Sequence, residues 1–220
     1  MKMPFTHEEF LSVFSNYNIQ VWPMQLVLVL SAAFSVLIIF TRINNRDRIV
    51  SGILVFLWIW MGIVYHLIFF SSINKAAYFF GIIFVFQGLM FLYHGVIKNK
   101  LKFLFLKRSS GITGILFIFF ALVIYPILGH LFGHVYPKTP TFGAPCPTVI
   151  FTFGLLLTNN HQTPIFLLII PLIWSLIGFS AAVNLQITED FGLFIVGIIG
   201  STLILINNAK KEKLLKHLNT

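Results

Sequence analysis

Acid is the scarcest chemistry in this chain. Six Asp and Glu stand against fifteen Lys and Arg in 220 residues, and charged residues of both signs make up only 10%. Soluble domains carry nearer a quarter. A lone cysteine, Cys146, excludes an internal disulfide and leaves the redox compartment unreadable. No Asp, Glu, Lys or Arg lies deep in any long apolar run, which argues against a proton-coupled pump, because such pumps carry an ionisable relay there. The first twenty residues lack the continuous apolar core and small-residue cleavage site of a signal peptide. No fixed-period repeat is visible, and the halves show none of the similarity of inverted-repeat transporters.

What remains is hydrocarbon. The chain is 58% apolar with 26 Phe, and its mean hydropathy is +0.92. These values predict an all-α integral membrane bundle. A helix needs about 20 apolar residues to cross the hydrocarbon layer. Residues 24–41, 49–70, 76–97, 110–128, 164–184 and 191–206 meet that requirement. A seventh stretch, 142–158, is short and interrupted at its entry by Pro145 and Pro147, so it should start late, bend or turn back.

Charge decides the parity. Arg42, Arg46 and Arg48 follow the first stretch; Lys98, Lys100, Lys102, Lys107 and Arg108 follow the third; Lys210, Lys211, Lys213 and Lys216 follow the last. Lys2, Lys75 and Lys138 fall singly in the other connections. The positive-inside rule then places the N-terminus outside and the C-terminus in the cytoplasm, which requires an odd number of crossings, hence seven transmembrane helices. The basic residues sit in short runs between apolar stretches, so the pI near 9.9 reflects membrane orientation and not a nucleic-acid partner. Three regions are expected: an outer leader with an interfacial helix over 1–23, the transmembrane domain over 24–206 and a basic cytoplasmic tail over 207–220. Within the leader, Thr6 and Glu9 form a capping box, Phe5 and Phe10 its hydrophobic staple, and Phe10, Leu11, Phe14 and Tyr17 one apolar face. Membrane lipid is the first partner. Gly129/Gly133, Gly178/Ala182 and Gly197/Ser201 offer small-residue faces for packing within the bundle or for a homo-oligomer.

With this orientation the uncommon residues gather at one end. Tyr65 and His66 lie near the outer end of the second span, Tyr125, His130 and His134 at the outer end of the fourth, and Cys146 at the entrance of the fifth. Glu189 and Asp190 precede the seventh span, where carboxylates ordinarily cap a helix N-terminus. His94, His161 and His217 belong to the other side. His130 and His134 are four apart and would share a helical face. With His66 and Cys146 they supply the donor types that hold a transition metal such as zinc or copper. The bland alternative is interfacial histidines bonded to backbone carbonyls, with Cys146 a small buried hydrophobe. The stretch 137–148, with Pro137, Pro140, Pro145 and Pro147, should form a stiff loop folded into the outer mouth.

The runs Trp58-Ile-Trp60-Met-Gly62-Ile-Val-Tyr65-His66, Ile73-Asn74-Lys-Ala-Ala77, Tyr125-Pro126 with Gly129-His130, and Thr141-Phe-Gly143-Ala-Pro145-Cys146-Pro147-Thr148-Val-Ile-Phe151-Thr-Phe-Gly154 resemble an uncharacterised family of bacterial multi-pass membrane proteins, a domain of unknown function. The resemblance runs through nearly the whole chain and implies a bacterial inner-membrane protein without implying an activity. A topological similarity to alkaline ceramidases, seven-span zinc enzymes, departs from that family in placing the His-x3-His pair on the fourth span and not the last. The reading that follows is an outer-facing pocket walled by Tyr65, His66, Tyr125, His130, His134, Cys146 and Asp190, which binds or passes a small solute or metal ion. A zinc-dependent lipid hydrolase and a non-catalytic partner of a membrane complex are the alternatives.

Overall fold

The computed structural model describes residues 4–218. Lys2 and the outermost residues of the expected leader and tail therefore lie outside the described residues, as does the side chain of His217. The chain is all-α. Among the described residues there are eight helices, α1 (His7–Gln20), α2 (Met24–Ile39), α3 (Arg46–Ser72), α4 (Ala76–Ile97), α5 (Ser109–Leu131), α6 (Pro145–Leu157), α7 (Phe166–Leu185) and α8 (Phe191–Leu218), the last entered through one 3-10 turn, Thr188–Asp190.

Five of these, α3, α4, α5, α7 and α8, are long and apolar enough to cross a membrane, and a sixth span results if the α1–α2 pair, bent by 87°, counts as one. The protein is a multi-pass membrane protein with five to six spans by length and hydropathy, where the sequence predicts seven. The shortfall lies in two helices: α2, the expected first span, has 16 residues and counts as a span only together with α1, and α6 is shorter still. The 13 residues of α6 reach roughly 20 Å at 1.5 Å per residue, against about 30 Å of hydrocarbon. Every residue of α6 is buried. It is a central post and meets no lipid. Its N-terminal approach packs at Gly143 against Tyr17 and Leu28. At its other end Thr158 O accepts from Leu104 N–H, and Lys211 Nζ donates to Asn159 O at 3.0 Å.

The two prolines expected to interrupt this segment instead open it. Pro145 is the first helical residue and Pro147 falls within the same turn, where amides have no intrahelical acceptor to lose. Close approach is built from glycine: a Cβ on Gly114 of α5 would stand 2.6 Å from Gly154 O of α6, and one on Gly154 2.8 Å from Gly114 O. The small-residue faces expected on α7 and α8 also serve the bundle, Gly178 meeting Leu193 and Gly197 meeting Ser175.

α1 forms as its capping box demands. Thr6 N–H donates to Glu9 Oε2 at 2.7 Å, Glu9 N–H donates to Thr6 Oγ1 at 3.2 Å, and the Phe5 and Phe10 rings stack at 5.7 Å. Phe10, Leu11, Phe14 and Tyr17 are all buried on its inner face.

The two ends of the bundle differ in chemistry. At one, Asp47 meets Arg46 and Lys102, each at 3.4 Å, and Lys211 donates to the carbonyls of Asn159 and His161. At the other lie α1, the loop between α5 and α6, and the Thr188–Asp190 turn.

Candidate functional site

The pocket at the α1 end is a cavity of about 350 Å³. It is lined by Phe5, just before α1, by Phe10 and Phe14 of α1, by Phe70 of α3 and by Phe80 of α4. Tyr65, Cys146, Trp174 and Asp190 line it as well. Four separate parts of the chain thus deliver these four residues. α3 brings Tyr65 through a wide π-helical stretch, Met61–Phe69, in which the consecutive residues Tyr65 and His66 are both buried. α6 brings Cys146 from its first turn, α7 brings Trp174, and the turn before α8 brings Asp190.

Asp190 is 3% exposed and accepts the phenolic hydrogen of Tyr125. The thiol of Cys146 stands beside the same carboxyl. The neighbouring Glu189 turns the other way, and its two oxygens lie 2.9 and 3.1 Å from His134 Nδ1. Both acids thus engage side chains where helix capping was expected. Burial explains the choice, since a carboxyl removed from water needs strong donors.

The seven residues expected at the pocket are therefore divided. Tyr65, Cys146 and Asp190 line it, and Tyr125 reaches it through Asp190. His66 lies behind the wall, fully buried, its ring centroid 4.6 Å from Phe84 and 5.0 Å from Trp174, and neither nitrogen has a hydrogen-bond partner. His130 is exposed, and His134 belongs to the Glu189 pair. The shared face expected for the two histidines does not form because α5 ends at Leu131 and the chain turns at Gly133, whose φ is +90°. Among the described residues no three His, Cys, Asp or Glu are placed to hold a metal ion, so the zinc or copper set of His66, His130, His134 and Cys146 is not assembled.

Sequence reasoning gave Phe5 only the part of a staple to Phe10 and assigned no role to Phe70 or Phe80. With 26 Phe spread over the chain, a pocket ring and a lipid-facing ring look alike. Phe84 is fully buried, whereas Phe79 and Phe86 are largely exposed on the same helix.

Comparison with known proteins fits the resemblance carried by the sequence motifs. The chain belongs to DUF6064, a family of unknown function, whose profile matches residues 7–214. No curated protein and no solved structure matches the chain.

Proposed function

We propose, since membership of a family of unknown function brings no activity with it, that this protein binds a small apolar molecule in the pocket beneath α1. One observation carries the reading: a cavity of about 350 Å³ with mostly aromatic and aliphatic walls and a few convergent polar groups, Tyr65, Cys146 and Asp190. Ligand sites in general have this size and composition. Binding is favoured over passage because the way onward is packed. His66, Phe84 and Trp174 close ring on ring at 4.6–5.0 Å, and α6 is buried throughout. A zinc hydrolase would need an open metal site, and the donors present do not converge on one.

The membrane in this reading is the bacterial cytoplasmic membrane, with α1 and the pocket outside and the C-terminus inside. Arg46, Lys102 and Lys211 meet at the end opposite the pocket, which supports that orientation. α6 joins the two ends of the bundle as a seventh, wholly internal crossing. Its packing against Tyr17 at one end and Lys211 at the other supports this count.

The test is binding of N-phenyl-1-naphthylamine, a neutral apolar fluorophore, to purified protein in non-ionic detergent. Wild type should give saturable fluorescence above empty micelles. Ala181→Trp places a large ring in the pocket wall and should abolish the saturable part while leaving thermal unfolding nearly unchanged. Equal saturable binding by both proteins would overturn the proposal.

A further inference from the structure

The acids of this chain can be accounted for one by one. Among the described residues Glu8 lies 3.9 Å from Lys138, Asp47 meets Arg46 and Lys102, Glu189 meets His134, and Glu212 meets Lys216. Glu9 binds the amide and hydroxyl of Thr6. Asp190 alone has neither a basic side chain nor a backbone amide beside it. Its partners are the Tyr125 hydroxyl and the Cys146 thiol. It is also the acid that lines the pocket, and among the described residues no Lys, Arg or His lines it.

The walls answer the same question from another side. Phe10, Phe14, Tyr65, Phe70, Phe80 and Trp174 line the same pocket as Asp190. The face of an aromatic ring is electronegative and attracts a cation within about 6 Å of its centre, most strongly when water is excluded. The phenylalanine rings supply no hydrogen-bond donor, the buried Trp174 Nε1–H has no partner among the described residues and is left for an acceptor atom on the ligand, and a second carboxylate brought beside Asp190 would be repelled. A buried carboxyl without a counter-charge, in a pocket lined by rings, is complementary to a cation that carries its own apolar coat.

Building on the apolar-pocket reading above, we propose that the ligand is an organic ammonium, held by Asp190 and by the faces of Trp174, Tyr65 and the phenylalanines. The ammonium supplies the missing counter-charge, and its alkyl groups fill the aromatic volume. Anionic ligands are rejected by the lone carboxyl. Inorganic cations find no further ligand set there, since no three His, Cys, Asp or Glu converge among the described residues.

The test uses choline and its neutral carbon isostere 3,3-dimethylbutanol, with protein purified in non-ionic detergent and binding read by displacement of N-phenyl-1-naphthylamine and by calorimetry. Choline should bind about tenfold or more tightly than the isostere, the factor that corresponds to one carboxylate–cation–π contact of roughly 1.4 kcal/mol. Asp190→Asn keeps the shape and should erase the preference for choline over dimethylbutanol. Dihexanoylphosphatidylcholine, added as competitor, distinguishes the source: displacement of choline assigns the site to a lipid headgroup, and its failure assigns it to a free amine. Equal affinity for choline and dimethylbutanol, or a preference that survives in Asp190→Asn, overturns the ammonium assignment while leaving the apolar pocket intact. Loss of fluorophore binding in wild type itself would instead remove the pocket reading beneath it. Should Asp190→Asn fail to fold, Trp174→Leu provides the second arm, and an unchanged choline preference there overturns the proposal.

Discussion

Removing the imidazole of His134 should be among the most damaging single changes at the α1 end. Glu189 is 1% exposed and His134 7% exposed, and Nδ1 lies 2.9 and 3.1 Å from the two carboxyl oxygens. His134→Ala leaves that carboxyl buried without its partner. Breaking one side of a buried pair costs about 3–5 kcal/mol, because the surviving charge keeps its desolvation penalty and loses its compensation. That is a factor on the order of a hundred or more in the folding equilibrium. The isolated worth of the pair is smaller, and only a double-mutant cycle separates the two. His134→Ala, Glu189→Ala and the double variant should show a coupling in the upper part of the usual range of about 0.5–3 kcal/mol, with the double variant more stable than His134→Ala alone. Reversible unfolding in mixed micelles, followed by far-UV circular dichroism, measures all four proteins. A His134→Ala cost under about 1 kcal/mol, with coupling near zero, would show that Glu189 is solvated and that the account of the turn before α8 is wrong.

Orientation is checked by an impermeant thiol reagent on intact cells in a Cys146→Ser background: a cysteine at Thr6 should label and one at Asn207 should not, and the reverse pattern would invert the topology. Gly154→Val should lower stability strongly, because its Cβ would stand 2.8 Å from Gly114 O and 2.6 Å from an Ile118 side-chain carbon; near-wild-type unfolding would show that α5 and α6 are less tightly apposed. The Thr6 amide and hydroxyl hold the Glu9 carboxyl below the ordinary carboxylate range. The capping box therefore contributes fully above the unfolded-state value and is lost as pH falls through the lower folded-state value. Amide exchange in the first turn of α1 should accelerate selectively on acidification, and Glu9→Gln should flatten that dependence.

Elements whose signals are local were legible in the residues. The capping box at Thr6 and Glu9 and the staple at Phe5 and Phe10 placed the start of α1, because partners three to five residues apart meet once a turn forms. Hydropathy located the long spans. What stayed hidden was rotation and pairing at distance. Tyr125 meets Asp190 across 65 positions and His134 meets Glu189 across 55, and no sequence spacing encodes such pairs. Helical periodicity also loses phase where α3, α4 and α5 widen into π-helical turns at Met61–Phe69, Leu92–Ile97 and Phe120–Ile124. The turn in α3 makes neighbouring Tyr65 and His66 both inward, which a strict 3.6-residue period does not anticipate. The His130/His134 pairing failed for a related reason: a shared face requires a continuing helix, and α5 stops between them.

The span count divides along the same line between local and global information. Hydropathy counts segments able to face lipid, whereas charge parity counts segments that pass from one side to the other. For α3, α4, α5, α7 and α8 the two agree. They part at α2, which has 16 residues and counts as a span only together with α1, and at α6, which faces only protein and so escapes the length that lipid imposes on an exposed helix. A helix of 13 residues is bridged to each end of the bundle by non-helical chain, and that chain is buried as well: Pro140 and Phe142 to Ala144 before it, Thr158 and Asn159 after it. Irregular backbone persists at membrane depth only when its polar groups are satisfied inside protein. Here Gly143 N–H donates to Thr148 Oγ1 at 3.0 Å, Ala144 N–H to Thr141 O at 2.9 Å, and Lys102 N–H to Asn159 Oδ1 at 2.8 Å. Thr148 and Asn159 thus supply to the irregular ends what a longer helix would have supplied by its own ladder. Thr148→Val keeps the volume and removes the acceptor for Gly143, so it should loosen the entrance to α6, beside Cys146, without disturbing the lipid-facing helices. Faster alkylation of Cys146 by N-ethylmaleimide with unchanged total helix content is the expected result; unchanged alkylation would mean that the Gly143 amide does not depend on Thr148.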